Sequence, residues 1–434
     1  MQVTPGRRRV MAAVAISMAG VMAATGCSGG SDDDDGDTIT LVVDTFGVFG
    51  YDELYRQFEE ENPGIRIEAR GENLGVGDYT QQLQQALAAG EGAGDVVAIE
   101  EGVLVDFLAT PEQFVDLRDY LDVEEIQARY LPWVWEAGFA GDQLVGLGTD
   151  IGSMGLCFRR DLFEQAGLPT DRQQLSEQLQ TWDDYIALGQ QFMQANTGAA
   201  FIDGATNVYN ATLMQFAGEG PGYTYFNEDD EFVMEENPAV RQAFDLTLQM
   251  IEAGLSAGIQ TFSEEWTAGF QNNAFATVAC PAWMLGQIAE NHGDAGAGLW
   301  DVTTIPGSGG NWGGSWLAVT TQSEHPEEAA RLVEFLTRPE GQLAAFEAAG
   351  RLPSLPELLQ SDEVLAMTNE YFSNAPVGQL FAEGAQELRP VYLGADNQAV
   401  RTEVENVLRA VEQGNISPQD AWNEAVDNAR NVVD

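Results

Sequence analysis

The residues of this chain best suited to contact chemistry are tryptophans set among glycines. Gly309–Thr320, GGNWGGSWLAVT, holds Trp312 and Trp316 among four glycines and Asn311, then runs into an apolar, strand-like LAVT. Glycine lets a backbone take unusual φ/ψ values and approach a ligand closely. An indole face on such a loop is costly to expose unless something packs on it. The stretch therefore reads either as a binding loop or as a Gly-rich turn whose tryptophans fill the core. Catalytic chemistry is less well supplied. All 19 basic residues are Arg, which excludes reactions that need a lysine, including a complete P-loop and a pyridoxal-phosphate Schiff base. His292 and His325 are isolated in loop-like segments, with no His-based zinc motif and no Gly-x-Ser-x-Gly elbow. A glycosidase needs only two well-placed carboxylates. The 69 acids supply many, but none stands out at a catalytic spacing. No enzyme activity, cofactor or metal is expected.

The charge is extreme: 69 acids against 19 bases give a net −50. No basic surface for nucleic acid can be assembled from so few cations. The same balance predicts adaptation to high salt, where screening relieves self-repulsion. Arg7, Arg8 and Arg9 precede an apolar run, Val10–Ala24, which is too short for a comfortable membrane span. The run ends in Ala24-Thr25-Gly26-Cys27, small residues before a cysteine as in a bacterial lipobox, although Ala24 stands where Leu is usual. Residues 1–26 are read as a lipoprotein signal peptide, with Cys27 lipidated; the alternative is an ordinary signal peptide with an incidental cysteine. Arg8-Arg9 also permits twin-arginine export. Residues 27–37 form an acidic, flexible tether. No later segment is apolar enough to span a membrane. Cys157 and Cys280 remain, either a disulfide in an oxidising exterior or two buried free thiols.

A length of 434 residues predicts two domains. Thr38–Asp44 is a short β-type run. Tyr51–Asn62 has helical spacing, with Tyr51, Leu54, Tyr55 and Phe58 on one face. Ile65–Ala69 alternates like a strand, Asp78–Ala89 is helical through Tyr79, Leu83 and Leu87, and Asp95–Ile99 is a buried-type strand. This β-α-β-α-β order predicts an α/β lobe with a parallel sheet, whose ligands sit at the carboxyl ends of strands. Those ends carry Thr45-Phe46-Gly47 and Glu100-Glu101-Gly102. Gln143–Phe158 reads as a strand, a glycine-containing crossing and a strand again. Its Gly146-Leu147-Gly148 is not a dinucleotide loop, because no helix follows. Trp182–Asn196 is a helix capped by Thr181 with Asp184 at the third position. Pro238–Ala253 and Pro326–Leu336 are further helices, and Phe275–Cys280 is a strand leading into Pro281-Ala282-Trp283.

In order, FEEENPGIRIE, GDVVAIE, GLCFRRDLFEQAGLP, TWDDYIALGQQF, FQNNAFATVACPAWMLG, SEHPEEAARLVEFLT and RLPS resemble the family 1 extracellular solute-binding proteins, the lipid-anchored sugar receptors of ABC importers. The likeness covers essentially the whole chain after the leader. MGLCFRRDLFEQAGLP, CPAWMLG and NWGGSW resemble an actinobacterial branch near cello-oligosaccharide receptors. The resemblance implies a type II periplasmic-binding-protein-like fold, two α/β lobes with mostly parallel sheets, joined by hinge strands and closing on ligand. Mapped here, one lobe holds 38–149 and 320–370 and the other 150–319 and 371–434. LAVT becomes a hinge strand. Two departures from the family pattern each introduce a cysteine, and if their strands are neighbours a Cys157–Cys280 disulfide follows.

The implied ligand is a neutral mono-, di- or oligosaccharide, delivered to permease subunits by a monomer anchored on the outer face of the cell membrane. A polyol or another neutral solute is the alternative, and a carboxylate-dependent glycosidase a more distant one. Sugars offer apolar faces and a rim of hydroxyls, so they want aromatic platforms and planar polar groups. The leading platforms are Trp283, Trp312 and Trp316. Trp266, Phe46 and Phe49 stand either in the pocket or in the core. The family pattern points to Glu100, Glu101, Asp150, Asn207, Tyr209 and Asn210 for hydroxyls, Asn311 joins them from its place between the glycines, and Arg351 stands either in an ion pair inside the clamp or in a structural role. From composition alone, the melting temperature should rise between low and molar salt; a curve that stays flat across that range contradicts salt adaptation.

Overall fold

The computed structural model describes residues 38–307 and 309–433. The signal peptide, the lipobox with Cys27 and the acidic tether lie outside the described residues. Strands β1 (Ile39–Asp44), β2 (Ile65–Arg70) and β3 (Val96–Glu100) pair in parallel in the order β2-β1-β3. The helices between them, Asp52–Glu61 and Val76–Ala89, bury Leu54, Tyr55, Phe58 and Tyr79, Leu83, Leu87, the faces that the 3.6-residue period predicts. Gly90 ends the second helix in the left-handed region. Thr181 and Asp184 form the predicted capping box on the helix Trp182–Gln194.

A small hairpin, β4 (Phe139–Ala140) and β5 (Gln143–Leu144), leads into β6 (Gly146–Arg159). Gln143–Phe158 was expected as two strands about a crossing; β6 is instead one run of 14 buried residues. Its first half pairs antiparallel with β10 (Asn311–Val319), and β10 pairs in turn with β3. Its second half pairs with β8 (Phe275–Pro281) and β9 (Trp300–Thr304), and β7 (Ala200–Ile202) lies parallel to β8. One curled sheet therefore joins two α/β groups, with β6 and β10 running between them.

β10 bends where it crosses. Its register against β6 shifts between Asn311 and Gly314 and again between Ser315 and Trp316. Gly313 and Gly314 take φ +81° and +149°, which disfavours any other residue. Opposite them, a Cβ on Gly152 would stand 1.9 Å from the Trp312 carbonyl oxygen. A third crossing, Arg351–Ser354, runs beside β6: Ile151 N donates to Leu352 O at 3.0 Å, and Asp150 bridges Pro353. Beyond it the chain stays with the second group. The helix Asp362–Leu365 packs on the helix Val377–Gln386, whose Leu380 and Phe381 approach Gly155 of β6. Extended backbone at 351–354 thus completes hydrogen bonds of β6.

The second group has a core of its own. The helices Ala205–Glu219, Pro238–Glu252, Asn397–Glu412 and Pro418–Val433 meet around Tyr209, Phe244, Val400, Val404 and Ala425. Among the described residues no helix is long and apolar enough to cross a membrane, and no group of acids, His or Cys could hold a metal.

Cys157 and Cys280, both fully buried on the adjacent strands β6 and β8, are bonded, so the alternative of two free thiols does not describe this structure. The bridge closes a sequence separation of 123 residues. A loop of that size corresponds to roughly 4–5 kcal/mol of lost chain entropy in the unfolded state. Reduction, or Cys157→Ala with Cys280→Ala, should lower unfolding stability by about 3–5 kcal/mol in denaturant titrations; an unchanged midpoint contradicts a formed bridge.

Candidate functional site

β3 ends at Glu100, and the helix Glu101–Leu108 begins at the next residue. The Glu100 carboxylate caps that helix, accepting from Gly102 N at 2.8 Å. β10 and the third crossing bring the second group up to this strand end. Glu100, Glu101, Trp312, Asn210 and Arg401 line the gap between the groups. Its volume is about 10 Å³, room for about one water. Gly102 leaves room for the Glu100 carboxylate: a Cβ there would lie 2.8 Å from Glu100 Oε2.

Glu101 is fixed from β10. Its Oε1 accepts from Asn311 Nδ2 at 2.7 Å. Asn311 Oδ1 accepts in turn from Gly152 N at 2.7 Å, so one side chain ties β10, β6 and the acid together. Burial raises the pKa of Glu101 well above the ordinary carboxylate range, and the neighbouring Glu100 adds to it. Burial raises Glu100 too, with Arg401 opposing the shift. Asn210, expected from the sequence, donates to Glu405 Oε1 at 2.7 Å.

The two tryptophans of the glycine stretch part company. Trp312 is 7% exposed, lines the gap and meets Trp283 edge-on at 6.0 Å between centroids. Trp283 is half-buried and donates from Nε1 to Trp312 O at 3.0 Å. Trp316 is 1% exposed and donates to Val134 O, packed beside Gly146 and Gly148. The second register shift of β10 lies just before it and carries it into the core. Trp316 is therefore corrected from platform to core residue.

Other expected contacts are also placed elsewhere. Trp266 is buried and donates to Asp203 Oδ2 at 2.7 Å. Tyr209 is buried with its hydroxyl 2.8 Å from that of Tyr225. Asn207 holds its helix to β8, donating to Ala279 O and accepting from Ala279 N. Phe46 and Phe49 pack on each other inside the core. Arg351 forms an ion pair whose partner proves to be Asp150, 3.5 Å away and buried, and the pair pins the first group to the crossing. Arg351 donates to Val48 O and lies 3.9 Å from the Phe49 ring centroid. Each of these groups has its polar atoms or its faces taken up by protein, which is why none lines the gap.

Two residues escaped the sequence reading. Arg401 sits in the helix Asn397–Glu412, where a lone arginine on an amphipathic helix gives no signal. Phe262 precedes the cap Ser263 of the helix Glu264–Gln271, a position whose apolar side chain often packs back on its own helix. Here it is 55% exposed, takes φ +66°, and faces Trp283 at 6.2 Å with 30° between the rings. An exposed aromatic in the left-handed region was the available clue, but only the backbone reveals it.

Two α/β groups joined by crossing strands, with a polar and aromatic gap between them, have the architecture of a two-lobed binding protein. The sequence pattern of the bacterial extracellular solute-binding proteins matches residues 53–371, and the chain belongs to that family. A solved extracellular solute-binding protein of family 1 is 37% identical, covers 91% of this chain and 100% of its own, and superposes with a TM-score of 0.79. An arabinooligosaccharide-binding protein of Halalkalibacterium halodurans is 26% identical over 64% of this chain and 62% of its own length. A lactose-binding protein of Rhizobium radiobacter is 26% identical over 78% of this chain and 79% of its own.

The buried acid under Trp266 makes stability depend on pH. Burial pushes the Asp203 carboxyl up to about 7 from an ordinary 3.8. The folded state therefore holds a proton that the unfolded state releases, and its stabilisation is complete below about pH 4 and lost as pH rises through about 7. Wild-type melting temperature should fall between pH 5 and pH 8, and Asp203→Asn should reduce that fall. An equal fall in both proteins contradicts the assignment.

Proposed function

We propose that this protein is the substrate-binding component of an ABC importer, taking a neutral carbohydrate into the gap between its lobes and delivering it to a membrane permease. The observation that carries the reading is the meeting of Trp312 and Glu101, the latter held by Asn311, with Asn210 and Arg401 across one gap. An indole offers a face to a sugar ring, and carboxylate, amide and guanidinium groups match hydroxyls. Covering about 100 Å² of one indole is worth about 2 kcal/mol. The sugar specificities of the two curated relatives point the same way. Cello-oligosaccharides are the narrower candidate. Trp283 and Phe262 continue the aromatic surface outward from Trp312, which favours a di- or oligosaccharide over a single ring.

The lobes we assign are 38–149 with 320–350, and 150–319 with 355–433, joined through β6, β10 and Arg351–Ser354. A gap of about 10 Å³ is far below the roughly 300 Å³ of a small ligand site. Ligand therefore enters an open form, and hinge motion about the crossings closes the lobes over it. The protein works without catalysis, as a monomer held on the outer face of the cell membrane through lipid on Cys27, with its acidic surface suited to high salt.

A thermal-shift panel of neutral mono-, di- and oligosaccharides, followed by calorimetry on those that shift, tests the reading. Trp312→Ala should weaken binding by roughly 1–3 kcal/mol with the fold intact. Trp316→Ala should instead lower stability by roughly 3–5 kcal/mol, as a cavity in the core does. No shift from any neutral sugar at low or high salt overturns the function, and equal effects of the two substitutions overturn their separate roles.

A further inference from the structure

The second lobe lines the gap with the polar side chains of Asn210, Thr224, Asn397 and Arg401. Thr224 and Asn397 are bonded to each other, Thr224 Oγ1 donating to Asn397 Oδ1 at 3.1 Å. Asn210 and Arg401 instead share a partner that does not line the gap, Glu405. Asn210 lies in the helix Ala205–Glu219, and the helix Asn397–Glu412 packs against it. Glu405 follows Arg401 by one helical turn, on the same face. Its Oε1 accepts from Asn210 Nδ2 at 2.7 Å and stands 4.0 Å from Arg401 Nε. Gln398 Oε1 accepts from Arg401 Nη2, so the guanidinium is held as well.

A carboxylate accepts and cannot donate, so it is the amide nitrogen of Asn210 that faces Glu405. The amide oxygen is turned away from it. Asn210 is 7% exposed, and its Oδ1 is buried with no hydrogen-bond partner among the described residues. A buried acceptor without a donor is costly. Because Asn210 lines the gap, a hydroxyl of a molecule held there is the donor that can reach this oxygen.

We propose that Glu405 is a positioning residue for sugar recognition: by holding the Asn210 amide nitrogen it presents the Asn210 oxygen to the gap, so that the second lobe selects a sugar hydroxyl that donates. This rests on the reading that a neutral sugar binds between the lobes. Glu405 itself does not touch the sugar. It fixes which end of the amide the sugar meets, and the same carboxylate stands beside Arg401.

The test is calorimetry on the full chain, with the sugar that raises the wild-type melting temperature most in a panel holding cellotriose, lactose and arabinotriose. Glu405→Ala frees the amide to turn and should weaken binding about tenfold, the loss of one hydrogen bond to a charged group, with an unchanged circular dichroism spectrum. Glu405→Gln still offers an acceptor to Asn210 Nδ2 and should bind within about threefold of wild type. Asn210→Asp sets two carboxylates face to face and should weaken binding by more than about tenfold. Combining Asn210→Asp with Glu405→Gln restores a donor opposite the acid and leaves an acceptor toward the gap, so affinity should return to within about threefold of wild type. A role of Glu405 in packing alone is not rescued by that exchange. Wild-type affinity in Glu405→Ala, or a double variant as weak as Asn210→Asp, overturns the proposal and leaves the functional reading standing. A wild type that binds none of the panel overturns both.

Discussion

The pairing of β6 with β10 is the constraint on which the rest of the structure depends. Two strands buried along their whole length cross from one α/β group to the other, side by side. Their hydrogen bonds must stay made, because an unpaired buried amide or carbonyl costs about 1–3 kcal/mol. The bend is therefore confined to places where glycine relieves it. Gly313 and Gly314 take backbone angles that other residues avoid, and Gly152 leaves room for the Trp312 carbonyl. The same bend turns Trp312 toward the gap and Trp316 into the core. Hinge and site are one piece of backbone.

Electrostatics follow from this placement. Glu100 and Glu101 close off β3 at the point where the second lobe covers them, so both are desolvated. Arg401 is the one cation lining the gap among the described residues, and it answers Glu100 while Asn311 answers Glu101. A buried charge without a partner is costly, and closing the lobes over these acids therefore demands compensation by donors. Hydroxyl groups of a sugar are donors of that kind. In the reading proposed above, the same carboxylates serve both sugar binding and closure.

Much of the fold could be read from spacing. Tyr79, Leu83 and Leu87 mark one helix face, Thr181 and Asp184 mark a cap, and the order of strands and helices marks the first lobe, because these features are local in sequence. The candidate site was legible in part. Glu101, Asn311 and Trp312 stand beside glycines and strand ends, where backbone approaches ligand. Trp316 and Trp266 carry the same residue type, yet a register shift and a bond to Asp203 place them in the core. Those are tertiary facts with no trace in local pattern. Arg401 reaches the gap only when a helix from late in the chain is laid against one from early in it. Phe262 is set apart by its backbone angle, which residue type alone does not report.

The central claim is that a sugar is held between the lobes, with its ring on Trp312. A crystal structure of the protein with the neutral oligosaccharide that stabilises it most tests this directly. The account predicts a sugar ring against Trp312, hydroxyls on Glu101 and Asn311 from one side, and Asn210 and Arg401 reaching the same sugar from the other. A sugar bound outside the gap, or held by one lobe alone with Trp312 untouched, would contradict it.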